Sequence, residues 1–413
     1  MKAHILTIGD ELLIGQVINT NQAFIARRLN DIGIDIESMS TAGDSMDPLL
    51  GALRRAWDSA DVTIVTGGLG PTHDDITRNA VCVFFGTDLV QDPVVGAHVA
   101  GLMKKRNIPW TSAAENQSLV PRSAAVFPTP VGTAPVLRFG REGKYMFVLP
   151  GVPYEMTEMI DASVVPFLAP LAGGQSIRHR TLLTTGIPES FLAAQLGSLE
   201  ELLDGASLAF LPSPAGVRLR ITAHGATGEE TEVLVQAVER RIRAKVSRYI
   251  YGTDEEDLET VLGGMLAQKK LTVAVAESCT GGLIAHRLTN VAGSSSYFER
   301  GVVTYSDASK ISLLGVPPAM IAAHGAVSRE VAASMAGGIR QAAGTDIGLS
   351  TTGIAGPSGG TPEKPVGTVW IGLADTAGTV ALKFNFGEGR ARVKERASQA
   401  ALELIRRRLL KLE

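Results

Sequence analysis

Short apolar runs alternate with amphipathic segments along most of the chain, and this pattern predicts strands and helices in turn. The first run, Ala3–Ile8, is typical of a buried strand, and Asn21–Asn30 follows with apolar residues at helical spacing. The same order continues with a strand at Ile34–Ser40, a helix at Leu49–Asp58 and a strand at Val62–Val65. Strands that alternate with helices build parallel sheets whose ligands bind at the carboxyl ends of the strands.

A second region with the same alternation begins near residue 256. It opens with a predicted helix at Leu258–Lys269, and the predicted strands are Leu271–Ala276, Gly301–Tyr305, Asp346–Ser350, Val366–Leu373 and Ala381–Phe386, before a final helix. The residues in between show strands at Arg180–Thr185 and Val217–Ala223 and an amphipathic helix at Glu229–Ile242. We therefore predict an α/β protein. Two parallel-sheet, three-layer α/β domains, residues 1–165 and 256–413, are joined by a small α+β domain, residues 166–255.

Composition and charge narrow the classes of partner. The 413 residues carry a net charge of −3, which gives no general electrostatic case for binding nucleic acid or an anionic membrane. Two distant cysteines make neither a disulfide framework nor a thiolate zinc site. No apolar run reaches the ~18 residues of a membrane helix, and Asp10 and Glu11 interrupt any signal-peptide core. We expect a cytoplasmic protein with no membrane partner and no direct nucleic-acid partner.

The stretch Leu271–Asn290 carries the first candidate chemistry. Its strand breaks at Glu277-Ser278-Cys279-Thr280-Gly281-Gly282 and resumes as a helix, so hydroxyl groups lie beside free backbone N–H groups. Those N–H groups and the helix dipole favour negative charge. Ser278 is therefore placed either to attack a carbon centre or to cap the helix.

Two further strand ends supply partners for Ser278. Tyr305 and Lys310 follow one strand, and Thr351 and Thr352 follow another. If the sheet brings these residues together, Ser278 is a nucleophile and Lys310 is its base, with a lowered pKa, beside a hydroxyl-lined phosphate pocket. Arg390 would then be a cationic neighbour of Lys310 or a phosphate ligand. The backbone N–H groups of Cys279 and Thr280 are candidate oxyanion donors. Taken singly, Lys310 is more typical of a solvated helix, Tyr305 of a half-buried strand and Arg390 of a surface charge at a helix start.

Cys279 is the rival nucleophile. It lacks a histidine adjacent in sequence, and the candidates His286 and His324 are each more typical of a surface or capping histidine. Spacing alone leaves both nucleophiles open.

Glycine loops at strand ends mark a second candidate site in the N-terminal domain. The loop Thr66–Asp75, TGGLGPTHDD, joins glycines that allow close approach of a phosphate to two carboxylates that suit a hard cation. The alternative is a Gly-Pro turn with an aspartate N-cap, in which His73 is an exposed turn residue. The predicted nucleotide-site residues are Gly9, Asp10, Glu11, Asp44, Gly67, Gly68, Gly70, Asp74, Asp75, Gly132 and Thr133.

The N-terminal motifs GDELLIGQVINTN, TGGLGPTHDD, GTAP and LPGVPYEM resemble the N-terminal domain of the CinA family (competence/damage-inducible protein A), which is similar to the molybdopterin-binding MogA/MoaB fold. The resemblance implies hydrolysis of ADP-ribose to AMP and ribose 5-phosphate with a divalent cation such as Mg²⁺, with K⁺ as a further candidate. It also implies functional carboxylates, and metal ligands, at Asp44 and Asp75. One departure is Val136 after GTAP, where the family usually has glycine; valine narrows the backbone freedom of that loop.

The C-terminal motifs AESCTGG, GSSSYFERGVVTYSDASK, HGAVSREV and TGIAGPSGGTPEKPVGTVW resemble the C-terminal CinA domain, which also occurs alone as a nicotinamide mononucleotide amidohydrolase. The resemblance implies release of ammonia from nicotinamide mononucleotide to give nicotinic acid mononucleotide, with no metal or cofactor. Matched motif to motif, Ser278 is the nucleophile, Lys310 its base and Tyr305 an auxiliary catalytic group. The substrate-binding residues would be Cys279, Thr280, Gly281, Thr351, Thr352, Gly353 and Arg390.

The sequence thus predicts a bifunctional enzyme of pyridine-nucleotide salvage, and we expect a homodimer. Two alternatives stay open at this point. One is a non-catalytic regulatory protein that binds a nucleotide or pterin, and the other is a partner protein linked to competence or DNA damage.

Overall fold

The computed structural model describes residues 1–70, 75–107, 109–127, 129, 132–173 and 176–412, with the backbone alone at 112–114. The chain divides into two compact units, residues 1–178 with 224–233 and residues 179–223 with 234–413. Among the described residues, no helix combines the length and apolar character needed to cross a bilayer.

The N-terminal domain alternates strands and helices as its apolar pattern predicts. Its strands are β1 Lys2–Ile8, β2 Asp35–Ala42, β3 Val62–Thr66, β4 Leu89–Gln91, β5 Leu119–Pro121, β6 Ala125–Phe127, β7 Val136–Arg141 and β8 Lys144–Leu149. Its helices are α1 Asp10–Leu13, α2 Thr20–Asp31, α3 Met46–Ser59, α4 Thr77–Phe85, α5 Pro93–Lys105, α6 Ser112–Gln117, α7 Pro153–Met159 and α8 Val165–Leu168, with a π-helical turn, Ile160–Val164, before α8.

A six-stranded sheet in the order β2-β1-β3-β8-β7-β6 forms the centre of this domain. Strands β2, β1, β3 and β8 are parallel, whereas β7 and β6 run antiparallel. Alternate residues of β1 enter different cores: Ile5 packs with α2 and α7, and Leu6 packs with α3 and α4. This alternation makes three layers, with the carboxyl ends of β1, β2 and β3 at one edge of the sheet.

The middle domain is a small α+β unit. Its elements are β9 Ser176–Thr184, α9 Glu189–Leu196, α10 Leu199–Leu203, β10 Ser207–Ser213, β11 Gly216–Gly225, α11 Gly228–Val246 and β12 Ile250–Thr253, with a 3₁₀ turn at Ser247–Tyr249. The strands form one sheet in the order β10-β11-β9-β12.

The C-terminal domain repeats the layered architecture. Its strands are β13 Val273–Glu277, β14 Phe298–Val303, β15 Ile347–Gly353, β16 Thr368–Asp375 and β17 Gly378–Asn385. Its helices are α12 Leu258–Lys269, α13 Leu283–Asn290, α14 Asp307–Leu314, α15 Pro318–His324, α16 Arg329–Ala343 and α17 Arg390–Leu409, with a 3₁₀ turn at Ser294–Ser296.

The C-terminal sheet has the order β14-β13-β15-β16-β17. Strand β13 is parallel to both β14 and β15, and β16 and β17 are antiparallel. Val273 and Val275 of β13 pack against α12, α13 and α17, while Ala274 and Ala276 face the core that includes α14 and α16. The carboxyl ends of β13, β14 and β15 therefore lie side by side.

The predicted α/β fold class is confirmed, with one refinement of the sheets. Both large sheets are mixed, because short connections such as the one between β16 and β17 join antiparallel neighbours. The strand expected at Gly301–Tyr305 lies earlier, at Phe298–Val303, so Tyr305 belongs to the loop that follows the strand.

Candidate functional site

Ser278 and Lys310 meet at the carboxyl end of the C-terminal sheet. Ser278 is the first residue after β13, and its backbone N–H donates to the Thr351 carbonyl of the neighbouring strand (3.0 Å). Lys310 lies on the second turn of α14, whose N-cap Ser306 accepts a hydrogen bond from the Ser309 N–H. The Lys310 Nζ donates to the Ser278 Oγ at 3.4 Å, and both side chains are buried.

The Lys310 amine has two further acceptors, both of them backbone carbonyls. Its Nζ donates to Thr304 O at 2.9 Å and to Tyr305 O at 3.3 Å. Burial lowers the pKa of Lys310, while the carboxylate of Asp307 and the thiol of Cys279 oppose that change. Low exposure thus favours the neutral amine that a base requires.

Ser278 does not cap the following helix. The N-cap of α13 is Gly282, whose φ of 92° is a left-handed conformation that glycine adopts without strain. The capping acceptor is instead the buried carboxylate of Glu277. It accepts hydrogen bonds from the N–H groups of Gly282 (3.0 Å), Ile284 (3.1 Å) and Ala285 (2.8 Å).

Glu277 changes the electrostatic prediction for this turn. The sequence pattern led us to expect that the N-terminus of α13 would attract an external anion, but the chain's own carboxylate occupies that position. Sequence reasoning missed Glu277. The available signal was an acidic residue that ends an otherwise apolar strand.

The surroundings of Cys279 disfavour it as the rival nucleophile. Its side chain is 4% exposed within the apolar core, and burial raises the pKa of the thiol to about 12. The backbone N–H groups of Cys279 and Thr280, our predicted oxyanion donors, hydrogen-bond to this sulfur. These hydrogen bonds partly offset the effect of burial on the thiol pKa. A thiol with such a pKa stays protonated, and hence unreactive, near neutral pH.

The two candidate histidines have other contacts. His286 on α13 is hydrogen-bonded through Nε2 to Asn290 (3.1 Å), and the ring of His324 lies 3.8 Å from Glu330. The backbone carbonyl of His324 accepts from Lys364. The described contacts of both histidines agree with the surface alternative.

Tyr305 and Arg390 lie together at an exposed position. Arg390 is the first residue of α17, and its Nη2 donates to the Tyr305 hydroxyl at 2.8 Å while Nη1 donates to Gly356 O at 3.1 Å. Lys394, one helical turn later, was missed by the sequence analysis. A Cβ placed on Gly281 would lie 3.4 Å from its Nζ. Arg390 and Lys394 bring positive charge to the first turns of a long helix beside the Ser278 loop.

The predicted threonines are buried and already bonded within the protein. Thr280 and Thr351 share a hydroxyl–hydroxyl bond of 2.7 Å, and Thr352 Oγ1 donates to Ala326 O at 2.8 Å. Gly353 ends β15 and has no room for a side chain, because a Cβ would lie 2.7 Å from Thr368 O. These residues hold the loops around Ser278 in place.

The N-terminal loops gather at the carboxyl ends of β1, β2 and β3. Gly9 precedes α1, and Asp10 and Asp44 exchange bonds, since each backbone N–H donates to the other's carboxylate (3.0 and 3.2 Å). Gly67, with φ of 117°, packs directly on the Ile8 carbonyl, where a Cβ would overlap. Gly70 lies against the carboxylate of Asp75.

Negative charge accumulates at these loops. Burial raises the pKa of Asp44, and the carboxylates of Asp10, Glu11 and Asp75 raise it further. The described part of the chain nevertheless contains no group of three His, Cys, Asp or Glu side chains arranged to hold a metal ion. The predicted ligands Asp44 and Asp75 thus do not complete such a site among the described residues.

The remaining N-terminal predictions fall in other loops. Asp74 and His73 lie outside the described residues. Gly132 packs against the carboxylate of Glu155, and its N–H donates to Thr129 Oγ1 at 3.2 Å; Thr133 follows it and is partly exposed. Val136, the expected loop departure, is instead the first residue of β7 and is fully buried. Helix α4 begins at Thr77 with Ile76, not an aspartate, at its N-cap position, so the aspartate N-cap alternative is wrong.

Three family models match successive parts of the chain. Residues 4–170 match the "Probable molybdopterin binding domain", residues 179–252 the "Damage-inducible protein CinA KH domain" and residues 255–409 the "CinA C-terminal domain".

Two similar proteins match the whole length of the chain, and a solved structure matches part of it. A CinA-like protein of Salinibacter ruber is 46% identical and covers 99% of this chain and 100% of its own. A CinA-like protein of Chlorobaculum tepidum is 45% identical over 100% of both chains. A solved structure, the competence/damage inducible protein CihA from Agrobacterium tumefaciens, is 37% identical, with a TM-score of 0.35, and covers 36% of this chain and 94% of its own.

Proposed function

This chain belongs to the CinA family, and from that premise we propose that its C-terminal domain hydrolyses the carboxamide of nicotinamide mononucleotide. The products are nicotinic acid mononucleotide and ammonia. The observation that carries the proposal is the contact of the Lys310 amine with the Ser278 hydroxyl and with two backbone carbonyls.

The three acceptors around Lys310 support its proposed role as a base. A charged Lys310 ammonium donates to all three acceptors, which are the Ser278 hydroxyl and the carbonyls of Thr304 and Tyr305. The two carbonyls can only accept a hydrogen bond, whereas the Ser278 hydroxyl can also donate one. When Lys310 is neutral, its two remaining N–H bonds satisfy those carbonyls, and its lone pair faces the Ser278 hydroxyl. The Ser278 O–H then donates to Nζ, which is the geometry of a nucleophile and its base.

The reaction follows from this arrangement. Lys310 takes the hydroxyl proton as Ser278 Oγ attacks the carboxamide carbon. The tetrahedral adduct collapses when the Lys310 ammonium returns a proton to the leaving nitrogen, which departs as ammonia. Water, deprotonated by Lys310, then hydrolyses the ester, and Ser278 recovers its proton. Arg390 and Lys394 bind the phosphate of the nucleotide, and Tyr305 orients Arg390 through their hydrogen bond.

Ammonia release from nicotinamide mononucleotide tests the proposal. Ser278→Ala and Lys310→Met should each lower kcat by at least about 1,000-fold, because nucleophile and base act as one unit. Ser295→Ala, which alters an exposed serine, is the matched control and should keep full activity. Activity should also survive a chelator, as our expectation of no metal or cofactor for this domain requires. Nucleotide binding without ammonia release by the unaltered protein would favour the regulatory alternative.

We propose a second activity, hydrolysis of ADP-ribose to AMP and ribose 5-phosphate, for the N-terminal domain. Its support is the glycine loops at three adjacent strand ends and the carboxylates around Asp44. Because the described carboxylates do not complete a metal site, we assign no step to a cation. AMP release from ADP-ribose should depend on Mg²⁺, and Asp44→Asn should abolish AMP release. The same assay with and without K⁺ tests whether K⁺ is also required. AMP release that is indifferent to chelator would overturn the cation proposal.

We propose, finally, that the protein is a cytoplasmic homodimer without membrane or direct nucleic-acid partners. The net charge of −3 supports the last point. Sedimentation velocity tests the dimer. DNA binding that weakens steeply with salt would contradict the absence of a nucleic-acid partner.

A further inference from the structure

A crevice of about 770 Å³ lies apart from the candidate active site, within the second compact unit. One face of the edge strand β17 forms its floor. Helix α17 forms one wall, and two loops of the middle domain, residues 185–189 and 212–217, form the other. Neither Ser278 nor Lys310 lines it. Its volume falls within the range of about 300–1,000 Å³ that small-molecule sites occupy.

Specific hydrogen bonds fix the walls of the crevice. Gln399 of α17 donates to Thr185 Oγ1 (3.4 Å), and Arg406 donates to the carbonyls of Arg248 (2.7 Å) and Ile250 (3.4 Å). Arg406 is itself buried in an ion pair with Glu403 at 2.6 Å. Buried polar contacts of this kind hold α17 against the middle domain, so the crevice is a built feature of this unit.

The floor of the crevice is apolar and incompletely covered. Val380, Leu382 and Phe384 alternate along β17 and point to the α17 side of the sheet, opposite Leu373, Ile371 and Val369 of β16. Leu382 is 44% exposed. The ring of Phe384 stacks on Phe386, with centroids 5.4 Å apart and planes 6° from parallel. A flat apolar body would cover this surface.

The charge around the crevice is mainly positive. The lining includes Arg396, Arg407 and Arg408 against Glu189 and Glu403. Glu403 is neutralised by Arg406, and Arg408 by Asp375 (2.6 Å). Within the described contacts, Arg396 donates one hydrogen bond, to Phe386 O at 3.2 Å. Its guanidinium carries five N–H donors, so it retains capacity for an anion beside the apolar floor.

We propose that this crevice binds a small amphipathic anion, a flat apolar body that carries one acidic group. The body lies over Leu382 and Phe384, and the acidic group pairs with Arg396. The proposal is independent of the amidohydrolase chemistry, because no residue assigned to that chemistry lines the crevice.

Two fluorescent probes with the same aromatic body test the proposal on the full chain. Anilinonaphthalene sulfonate carries an anionic group, and phenylnaphthylamine lacks it. The anionic probe should bind saturably, at one per chain, and at least about tenfold more tightly, because a charge-assisted hydrogen bond is stronger than a neutral one. Equal affinity for both probes, or no saturable binding, would overturn the proposal.

Matched variants locate the probe. Leu382→Glu should weaken both probes by about tenfold or more, whereas Val233→Glu, the same change at an exposed valine outside the crevice, should leave both unchanged. Arg396→Gln should remove the preference for the anionic probe, and Arg396→Lys should restore part of it. Circular dichroism checks that each variant is folded. Unchanged binding of the probes to Leu382→Glu would refute the site. If Leu382→Glu binds neither probe and its assembly in solution has a lower molecular mass than that of the parent protein, the crevice is a self-association surface instead.

Discussion

Lys310 is an ionisable side chain in a nearly water-free position. Lys310 is 1% exposed and its amine lies among backbone carbonyls, while the carboxylate of Asp307 and the thiol of Cys279 favour its charged form. A lysine of ordinary pKa would be protonated throughout the physiological range, and the lone pair needed to activate Ser278 would be absent. Burial therefore favours the reaction, because it lowers the pKa of Lys310 and so favours the neutral amine.

The pH dependence of the reaction should report this pKa. The base acts only when neutral, so kcat/KM should rise with pH through the lowered pKa of Lys310. Asp307 favours the ammonium form and raises that pKa, so Asp307→Asn should lower it and move the acidic limb to lower pH. The shift should be small, since Asp307 is exposed and screened by solvent. Glu299→Gln, which alters an exposed residue of β14, is the control. If the acidic limb of kcat/KM in Asp307→Asn moves to higher pH, the role of Lys310 is refuted.

Cys279 should be dispensable for the reaction. Cys279→Ala removes a buried thiol, so it should cost about 1 kcal/mol in the free energy of unfolding and leave kcat within about threefold of the parent. Urea unfolding and ammonia release measure the two quantities. Loss of activity as complete as in Ser278→Ala would show that the sulfur, whose pKa is raised to about 12, takes part after all.

The turn from β13 into α13 shows how one element prepares the site. The strand ends at Glu277, the chain turns through Ser278 to Gly282, and the Glu277 carboxylate then binds the first N–H groups of the helix. The Glu277 carbonyl also accepts from the Thr304 N–H at 2.7 Å, next to the carbonyl that binds Lys310. Glu277 thus links the loop of the nucleophile with the loop of the base.

Removal of the Glu277 carboxylate should destabilise this element. Glu277→Ala leaves three helix N–H groups without their acceptor, so the free energy of unfolding should fall by about 3 kcal/mol, and Glu277→Gln should lose less because its amide oxygen still accepts. The exposed Glu299→Ala provides the comparison. Equal unfolding midpoints for Glu277→Ala and Glu299→Ala would refute the capping role.

Much of the element order followed from the apolar pattern, whereas the antiparallel strands and the side-chain partners did not. The motif spacing brought Ser278, Tyr305 and Thr351 to neighbouring strand ends, because parallel strands share a carboxyl edge. The short turn after Asp375 is a sequence signal for the antiparallel pair of β16 and β17. Glu277 could not be predicted as a cap, since the backbone N–H groups that donate to its carboxylate are brought together only once the turn is folded. The incomplete cover of the β17 face could not be predicted either, because the exposure of a strand depends on which elements pack against it.

At the scale of the whole molecule, the two candidate sites lie in different compact units. The Asp44 loops belong to the first unit and the Ser278 loop to the second. Each site is built from the carboxyl ends of adjacent parallel strands within its own sheet. The chemistry proposed for each therefore draws on residues of one unit alone.

Independent sites should lose their activities separately. Asp44→Asn should abolish AMP release from ADP-ribose and leave ammonia release unchanged within about twofold. Ser278→Ala should abolish ammonia release and leave AMP release unchanged, because the two residues belong to different compact units and substitutions at independent sites act additively. Both activities are measured on each full-length variant. Simultaneous loss of both activities in a folded variant would contradict this independence.

Capture of the covalent intermediate tests the central claim most directly. After acid quench of the protein during turnover of nicotinamide mononucleotide, peptide mass spectrometry should find the pyridine-carbonyl nucleotide as an ester on Ser278, and on no residue in Ser278→Ala. The adduct should be absent in Lys310→Met, which keeps the hydroxyl but lacks the base. An adduct on Cys279, or ammonia release by Ser278→Ala at the parent rate, would contradict the account.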